Sequence, residues 1–370
     1  MGGRVRVGIV GCGWVTEYRH LPALRRLPEA EVIAVADVDE IRLNRVADRF
    51  HLPSRHTDFR ALLGDPAIDA VAVCTPLTTH AEIGLAALDA GKHLLIEKPL
   101  AASLEECDRL IARAQSADRT AMVGLNLRWH RLVRQAREIC RSGVLGSILM
   151  ANTVLASYHP TIPAWREQRA EGGGVLCEQA VHMYDLWRYV LDTEVDEVFA
   201  TTRTGRWREE TATVTGRLAD GTLVSSEFSW GTGNVCYLDI YGERGRLQVD
   251  CLRFDGLQLL GRDEHPGDLG VRLRRLPAVI SGLAAVPAAM REGGAYLASY
   301  REEWRRFLEA AHRRQPIQPT LQDGRRALEV ILAAQASADL RRPVRLAELE
   351  RLGVATPSQS VARSLSGARS

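Results

Sequence analysis

The stretch Val5-Arg-Val-Gly-Ile-Val-Gly-Cys-Gly-Trp-Val15 decides the fold of this chain. Its first six residues form a short apolar run that predicts a buried strand. Gly11 and Gly13 follow before an amphipathic segment, and glycines between a strand and a helix are typical of phosphate binding. Gly11 permits a tight turn, and Gly13 lets the backbone approach a pyrophosphate at the helix N-terminus. The third small position of this dinucleotide-binding fingerprint is Thr16, which is a departure from the usual glycine or alanine.

The residues after this turn continue as alternating strands and helices. Further strands are predicted at 31–36, 69–74, 93–96 and 120–123, and helices at 20–27, 40–50, 81–90 and 103–117. Ser103 and Glu106 have the spacing of a helix-capping pair. Such alternation predicts βαβ units and a parallel sheet. We therefore expect an N-terminal Rossmann domain, a doubly wound α/β sheet that binds NAD(P), over residues 1–124.

The second predicted strand ends at Asp37, a position that selects the cofactor. A carboxylate here accepts hydrogen bonds from the adenosine ribose hydroxyls and repels a 2′-phosphate. This favours NAD over NADP, although the nearby Arg42 would weaken the preference. The predicted cofactor-binding residues in this region are Gly11, Cys12, Gly13, Trp14, Val15 and Asp37.

The pattern changes after Leu125. Strands are predicted at 147–156, 197–204, 211–218, 222–230, 235–241 and 245–251, and helices at 132–142, 178–191, 299–313 and 321–340. Asp220-Gly221 is a hairpin turn signal between two of these strands. We expect a C-terminal α+β domain with an open, mainly antiparallel sheet, which binds the substrate, over residues 125–352. Residues 262–296 are interpreted as a basic, solvated insertion, and residues 353–370 as a disordered tail.

Composition excludes several classes of function. The 370-residue chain has 48 basic and 46 acidic residues, a formal net charge of +2, which provides no field for nucleic acid or an anionic membrane. No apolar run is long enough to span a bilayer, and the N-terminus has no signal-peptide pattern. The seven cysteines are scattered without a metal-ligand spacing, so we expect free thiols, no metal site and a cytoplasmic protein.

Two short motifs carry a resemblance to a known family. Cys74-Thr-Pro76 with His80, and Glu97-Lys98-Pro99, resemble the Gfo/Idh/MocA oxidoreductases. Further matches are Arg128, the glycine run 172–174, the segment 178–185 and the segment 342–346, so the resemblance covers nearly the whole chain. It implies a Rossmann domain followed by an α/β domain with an open sheet. It also implies transfer of hydride between NAD(P) and a hydroxyl carbon of a sugar, amino sugar or cyclitol, and assembly as a homodimer or homotetramer.

The resemblance assigns Lys98 a place near the nicotinamide and the substrate hydroxyl. A lysine at the carboxyl end of a strand points into the crevice where open α/β sheets bind ligands. Its ammonium can stabilise an alkoxide as it forms. Thr75, Pro76, His80 and Glu97 are placed beside the cofactor in the same way, although Glu97 can also be a simple ion-pair partner.

A second group of candidates lies at Glu178, His182 and Asp185. On a helix, Glu178 and His182 would share one face. His182 is the expected general base, because an imidazole accepts a proton near neutral pH. The family position of Glu178 is usually aspartate and sometimes asparagine, and the longer side chain keeps the charge. Asp185 either orients the imidazole or pairs with Arg188.

The remaining substrate-binding candidates are polar and aromatic residues near the predicted cleft. An aromatic face packs on the C–H surface of a polyhydroxylated ring, and a guanidinium binds its hydroxyls or a carboxylate. The predicted substrate-binding set is Lys98, Asn126, Arg128, Tyr158, Trp165, Arg166, Glu178 and His182. His130 and His159 are weaker candidates, for which ordinary packing is an equal interpretation.

Two other functions stay open at this point. One is an NAD-dependent glycoside hydrolase that cleaves its bond after transient oxidation of the sugar, and it would not release NADH. The other is a non-catalytic regulator that binds dinucleotide and sugar. Such a regulator would be expected to lack Lys98 or His182, and the chain has both.

Overall fold

The computed structural model describes residues 4–273, 276 and 293–353, and two β-sheets organise them. The first sheet belongs to the first third of the chain. Its elements are β1 (Val5–Val10), α1 (Leu21–Leu24), β2 (Ala30–Ala36), α2 (Glu40–Phe50), β3 (Ser54–His56), α3 (Phe59–Leu63), β4 (Ala70–Val73), α4 (His80–Asp89), β5 (His93–Glu97), α5 (Leu104–Ser116) and β6 (Ala121–Gly124).

All strand pairs in this sheet are parallel, and their order is β3-β2-β1-β4-β5-β6. Side chains alternate between two buried faces, since Val71 and Val73 of β4 enter one core while Ala70 and Ala72 enter the other. The strand order reverses between β1 and β4, and ligands of doubly wound sheets bind at such a switch point. The predicted Rossmann domain is confirmed.

The second sheet is formed by the later part of the chain. Its elements and the helices around it are α6 (Arg131–Arg141), β7 (Ile148–Ala156), α7 (Val175–Glu178), α8 (Ala180–Leu191), β8 (Val195–Arg203), β9 (Thr211–Leu218), β10 (Leu223–Ser229), β11 (Val235–Gly242), β12 (Gly245–Asp250), β13 (Leu257–Gly261), α9 (Gly294–Arg313), α10 (Leu321–Leu340), β14 (Val344–Arg345) and α11 (Leu349–Leu352).

The strand order of this sheet is β13-β12-β11-β7-β10-β9-β8-β14. The β7–β10 pair is parallel and the other described pairs are antiparallel, as expected for a mainly antiparallel sheet. The predicted hairpin at Asp220-Gly221 joins β9 to β10. Helices α8 and α10 cover one face, on which Val198, Val214 and Phe228 are buried.

Helix α9 returns from the later part of the chain to the first sheet. Its buried side chains Leu297, Tyr300, Trp304 and Phe307 belong to the same core as Val7 and Ile9 of β1. One face of the first sheet is therefore completed by a helix that lies nearly 300 residues away in sequence. Helix α10 packs on α5 as well as on α8 and β8, so it connects the two sheets.

Several local expectations differ from the structure. The helix predicted at 178–191 is interrupted at Gln179, which separates α7 from α8. The helix predicted at 20–27 is a π-helical turn, Thr16–His20, followed by the short α1. Strands β3, β13 and β14 were not predicted, because each is short or offers little apolar alternation. Most of the 262–296 insertion and residues 354–370 of the predicted tail lie outside the described residues.

Within the described part of the chain, no helix combines the length and apolar character needed to cross a bilayer.

Candidate active site

The turn after β1 has the geometry of a phosphate cradle. Gly11 has φ +97°, and a Cβ there would lie 2.4 Å from the Cys74 carbonyl oxygen. At Gly13, in contrast, a Cβ would meet no described heavy atom within 4 Å, so space above this backbone is open to a pyrophosphate. The buried Thr16 hydroxyl donates to the Gly11 carbonyl at 2.6 Å, which accounts for a larger residue at the third fingerprint position. These residues fit a bound dinucleotide.

Gly11→Ala is expected to disrupt this cradle. The added methyl group would collide with the Cys74 backbone and require a left-handed conformation, so we expect a loss of about 1–3 kcal/mol in unfolding free energy and strongly weakened NAD binding. Urea unfolding and NAD titration by calorimetry measure both effects. Gly13→Ala is the matched control: it should keep the stability and weaken NAD binding alone. Equal stability of the two variants would contradict the proposed geometry.

Asp37 lies at the end of β2 beside this cradle. Its carboxylate accepts the Cys12 N–H at 2.7 Å and the Asp39 N–H at 2.9 Å, which fixes its orientation. The Arg42 guanidinium is 3.6 Å from Asp37 and also binds Asp39 at 2.8 Å. Two carboxylates therefore already balance the charge of Arg42.

The other cofactor candidates surround the same crevice. Trp14 is 61% exposed, and Val15 is half-buried. Cys12 is buried, and burial raises the pKa of its thiol to about 12, so the thiol is an inert packing group. Thr75 and Pro76 form the loop after β4.

His80 is buried behind this loop. Its two ring nitrogens contact the carbonyl oxygens of Thr75 and Pro99, each at 2.9 Å. These contacts join the end of β4 to the segment that follows β5, so the structure gives His80 a role in holding the crevice wall.

Lys98 follows β5 directly, and its side chain contacts α7. Its Nζ donates to the Glu178 carbonyl oxygen at 2.8 Å and lies 3.7 Å from the Glu178 carboxylate. The side chain is 14% exposed, so it remains accessible from the crevice. The structure thus brings together two predicted catalytic residues, one that follows a strand of the first sheet and one on a helix beside the second sheet.

Glu97 is buried behind Lys98. One carboxylate oxygen contacts His20 Nε2 at 2.9 Å, and the other accepts the Lys98 backbone N–H at 3.0 Å. Burial alone would raise the pKa of Glu97, but the hydrogen bond from His20 and the charge of Lys98 outweigh it and hold this pKa below its ordinary value. Glu97 is therefore an ionised group within the wall of the site.

Glu178 pairs with two cations. Arg166 Nη2 binds its Oε1 at 3.0 Å, and Lys98 Nζ lies 3.7 Å from the same oxygen. Burial raises the pKa of Glu178, but Lys98 and Arg166 outweigh it and bring the value to about 2. The carboxylate is ionised at neutral pH and pairs with charges that would otherwise repel each other.

His182 lies in the first turn of α8, with 7% of its surface exposed. Burial lowers the pKa of His182 to about 3, and the Lys98 charge acts in the same direction. Its Nδ1 is buried, and no hydrogen-bond partner for it is found in the described part of the chain. The imidazole is therefore unprotonated at neutral pH and has the form required of a proton acceptor.

A polar network extends from Glu178 along the loop after β7. Arg166 is 3.5 Å from His159 Nδ1, His159 Nε2 contacts the Ser157 hydroxyl at 2.8 Å, and Gln179 donates to the same hydroxyl at 3.0 Å. Sequence reasoning missed Ser157 and Gln179, because nothing in the local pattern shows that the loop folds onto the break between α7 and α8.

The aromatic candidates differ in exposure. Tyr158 is 59% exposed, and Trp165 is half-buried with the Arg166 guanidinium 5.6 Å from its ring centroid. Trp230, a residue not predicted, is fully buried and lies 5.8 Å from the same guanidinium. Arg166 is thus held between two indole rings while it binds Glu178.

The glycine run 172–174 accommodates protein backbone. A Cβ at Gly173 would lie 2.3 Å from the Arg166 carbonyl oxygen. The described contacts show that Gly173 lets the chain pack against Trp165 and Arg166.

Two further candidates are buried away from these contacts. Asn126 donates to Ser299 of α9 at 3.2 Å and is fully buried. Arg128 forms a two-pronged ion pair with Asp185 at 2.5 and 2.8 Å and also binds Asp323 at 3.0 Å. The main partner of Asp185 is thus Arg128, a pairing that was not predicted, and Arg188, the predicted partner, lies 3.8 Å from the same carboxylate. Because Arg128 is engaged by these carboxylates, we leave it out of the proposed substrate-binding set.

Arg128→Met is expected to lower the unfolding free energy by about 3–5 kcal/mol, since it leaves the buried Asp185 and the half-buried Asp323 without their main partner. The loss should appear in urea unfolding. The double variant Arg128→Met/Asp185→Leu should recover part of it, because removing both charges is less costly than removing one. A double variant that loses the sum of the two single effects would argue against a coupled pair.

The fold and the site together define an NAD-dependent oxidoreductase. A nucleotide cradle and an accessible lysine lie at one edge of a Rossmann sheet, and an unprotonated histidine lies four residues after Glu178, which contacts that lysine. Within the described residues, no cluster of His, Cys, Asp or Glu side chains is suited to hold a metal ion.

Comparison with known proteins identifies the family. Residues 5–125 match the model described as "Oxidoreductase family, NAD-binding Rossmann fold", and residues 133–248 match the GFO/IDH/MocA C-terminal domain. The chain belongs to the Gfo/Idh/MocA oxidoreductase family. This confirms the resemblance, the NAD cofactor and the assignment as a dehydrogenase-type enzyme.

Named relatives include enzymes that act on cyclitols. The chain is 28% identical to a myo-inositol 2-dehydrogenase of Thermotoga maritima over 359 residues, which cover 93% of this chain and 99% of the relative. It is 31% identical to an inositol 2-dehydrogenase of Acidothermus cellulolyticus, over 66% of this chain and 72% of the relative. A levoglucosan dehydrogenase solved with NADH and L-sorbose has a TM-score of 0.80 at 24% identity, over 93% and 99% of the two chains, and shows the same fold.

Proposed function

We propose that the protein oxidises a secondary alcohol of a neutral cyclitol or sugar with NAD, and carries out the reverse reduction. The observation that carries this proposal is the contact of Lys98 with Glu178, which joins the cofactor crevice to the segment bearing His182. The inositol and levoglucosan dehydrogenases among the relatives support the substrate class.

The cofactor, Lys98 and His182 each have a defined role in the proposed reaction. Bound NAD supplies the hydride acceptor. Lys98 holds the reacting oxygen and stabilises the negative charge that develops on it. His182 accepts the hydroxyl proton on Nε2, because its Nδ1 is the nitrogen buried in the protein. The hydroxyl proton and the hydride thus leave the alcohol for separate acceptors, and the product is a ketone.

The charges in the site support a neutral substrate. Lys98 and Arg166 are both close to Glu178, and Glu97 lies behind Lys98 as a second carboxylate. Two cations and two anions balance, so no excess charge favours a carboxylate or a phosphate on the substrate. The Arg166–Glu178 pair presents a donor and an acceptor to neighbouring hydroxyls.

The contacts of Asp37 support NAD as the preferred cofactor. The carboxylate is fixed by two backbone N–H groups at the place where a 2′-phosphate would need a cation. Arg42 is the nearest cation, and Asp37 and Asp39 already pair with it.

A substrate screen tests the proposal. Purified protein is mixed with inositols, anhydrosugars, free sugars, uronic acids and sugar phosphates, with NAD or NADP, and nicotinamide absorbance is followed. We expect NADH to accumulate with one or more neutral polyols and NAD to be preferred. Turnover restricted to acidic substrates would contradict the proposed class. Bond cleavage in a glycoside without NADH release would favour the hydrolase alternative, and NAD binding without any turnover would favour the regulator.

We also propose that the protein forms a homo-oligomer through the open face of the second sheet. Met150 and Leu223 lie side by side there in the β7–β10 register, and Phe199 of β8 is on the same face, each of them exposed. Light scattering should show a dimer or tetramer, and Leu223→Lys should shift it toward the monomer. A monomeric wild type would contradict this proposal.

A further inference from the structure

A buried chain of hydrogen bonds runs from α9 to Lys98. The indole N–H of Trp304 donates to His20 Nδ1 at 3.0 Å. His20 Nε2 contacts Glu97 at 2.9 Å, and Glu97 accepts the Lys98 backbone N–H at 3.0 Å. These hydrogen bonds therefore connect a helix of the later part of the protein to Lys98, the residue that we propose holds the substrate oxygen.

The indole of Trp304 determines which group donates and which accepts in these hydrogen bonds. An indole nitrogen can only donate, so His20 Nδ1 must accept and cannot carry a proton. The single imidazole proton is then on Nε2, where it points at the Glu97 carboxylate. Trp304 thus selects the tautomer of His20 that supplies a donor to Glu97.

These groups are enclosed by the protein, and the Cys74 thiol is a further polar side chain that contacts His20. Trp304 and His20 are completely buried, and Tyr300 packs edge-on against the His20 ring at 5.2 Å. Glu303, next to Trp304, is also completely buried, and neither of its carboxylate oxygens has a hydrogen-bond partner in the described residues. Burial and the nearby Glu97 raise the pKa of Glu303 well above its ordinary value. Glu303 is therefore neutral, and Glu97 carries the negative charge.

We infer that His20 and Trp304 are positioning residues for Lys98. By holding Glu97, they fix the backbone from which the lysine side chain extends, and they keep a carboxylate behind the ammonium. This inference rests on the proposed function for its kinetic consequences, but the geometry of Lys98 can be measured without a substrate.

The kinetic test compares four variants with the wild type. Trp304→Phe removes only the indole donor, and His20→Leu removes the donor to Glu97. Each should lower kcat by roughly 10- to 100-fold with little change in KM or NAD affinity, as for other groups that orient a reacting residue. His20→Gln places an amide N–H near the position of Nε2 and should restore most of kcat.

Trp187→Phe is the matched control. Trp187 is also a buried tryptophan, but its indole nitrogen has no hydrogen-bond partner among the residues described, so the same change removes no hydrogen bond there. Its kcat should stay within about 3-fold of wild type, because Trp187 is outside the hydrogen-bond network and sites that share no partner act independently.

A spectroscopic measurement reports on Lys98 itself. The chain has two lysines, Lys92 and Lys98, so reductive methylation with ¹³C-formaldehyde gives two lysine resonances, which Lys98→Met assigns. In Trp304→Phe and His20→Leu, the Lys98 resonance should move while the Lys92 resonance stays in place. In His20→Gln and Trp187→Phe, both resonances should stay near their wild-type positions.

The outcomes separate this inference from the proposed function. If no polyol is turned over, the resonances still decide whether His20 and Trp304 position Lys98. An unmoved Lys98 resonance with unchanged kcat in both Trp304→Phe and His20→Leu would overturn the inference. So would equal losses in His20→Leu and His20→Gln, or in Trp304→Phe and Trp187→Phe, since these would indicate a general structural effect. If one variant does not fold, the other still gives the result.

Discussion

Lys98→Met is expected to lower kcat/KM by about 1,000-fold, the usual effect of removing a group that stabilises a developing oxyanion. Methionine keeps the length and apolar stem of lysine and removes the charge. NAD affinity should change little, because the cradle at Gly11 and Gly13 is separate from the ammonium. Steady-state kinetics with the substrate found in the screen, together with NAD titration, measure the two effects.

The second lysine provides the matched control. Lys92 precedes β5 and Lys98 follows it, so about 20 Å of strand separates them at roughly 3.3 Å per residue. Lys92 Nζ donates to the carbonyl oxygens of Asp65 and Ile68, which gives it a structural role. Lys92→Met should therefore lower stability and leave the activity of the folded enzyme intact. Equal loss of activity in both variants would show that the effect of Lys98→Met is not specific to the site.

His182→Ala is expected to lower kcat by about 10²- to 10⁴-fold, the range for loss of a general base. The NAD titration should again be close to that of the wild type. Activity retained within a few-fold would exclude His182 as the base. In that case His159, whose imidazole contacts Arg166, would be the next candidate for the general base.

His182 should also make the fold sensitive to acid. Its pKa is about 3 in the folded protein and 6.5 ordinarily, so between these values the unfolded chain binds the extra proton. Stability therefore falls as the pH is lowered through this window, by about 1.4 kcal/mol per pH unit for this one group. His182→Gln should remove that contribution. Urea unfolding at several pH values from 7 to 4 compares the slopes, and identical slopes would contradict the buried, neutral imidazole.

Most of the first sheet could be predicted from sequence because its signals are local. Buried parallel strands read as apolar runs, and Ser103 accepts the Glu106 backbone N–H as its spacing indicated. The three-residue strand β3 has no such pattern, since pairing with β2 alone makes it a strand. The packing of α9 on the first sheet could not be predicted either. An amphipathic pattern indicates that a helix has an apolar face, but it does not indicate which element covers that face.

The same difference between local signals and long-range contacts applies to the residues of the site. Lys98, Glu178 and His182 could be predicted because they lie in recognisable motifs. His20 and Trp304 could not, since 284 residues separate them and neither has a local signal. The break at Gln179 was also missed, because the sequence around it is compatible with a continuous helix. The contact between His20 and Trp304 is long-range, and a single sequence does not record such contacts.

The interruption between α7 and α8 has one more consequence. Because the helix stops at Glu178, the main-chain oxygen of that residue is not consumed by a helical turn and is available to the Lys98 ammonium. Because this oxygen belongs to the main chain, a substitution of the Glu178 side chain does not remove it. A variant at position 178 is therefore expected to keep the Lys98 hydrogen bond to the main chain, and a bound substrate hydroxyl would take the place of that oxygen.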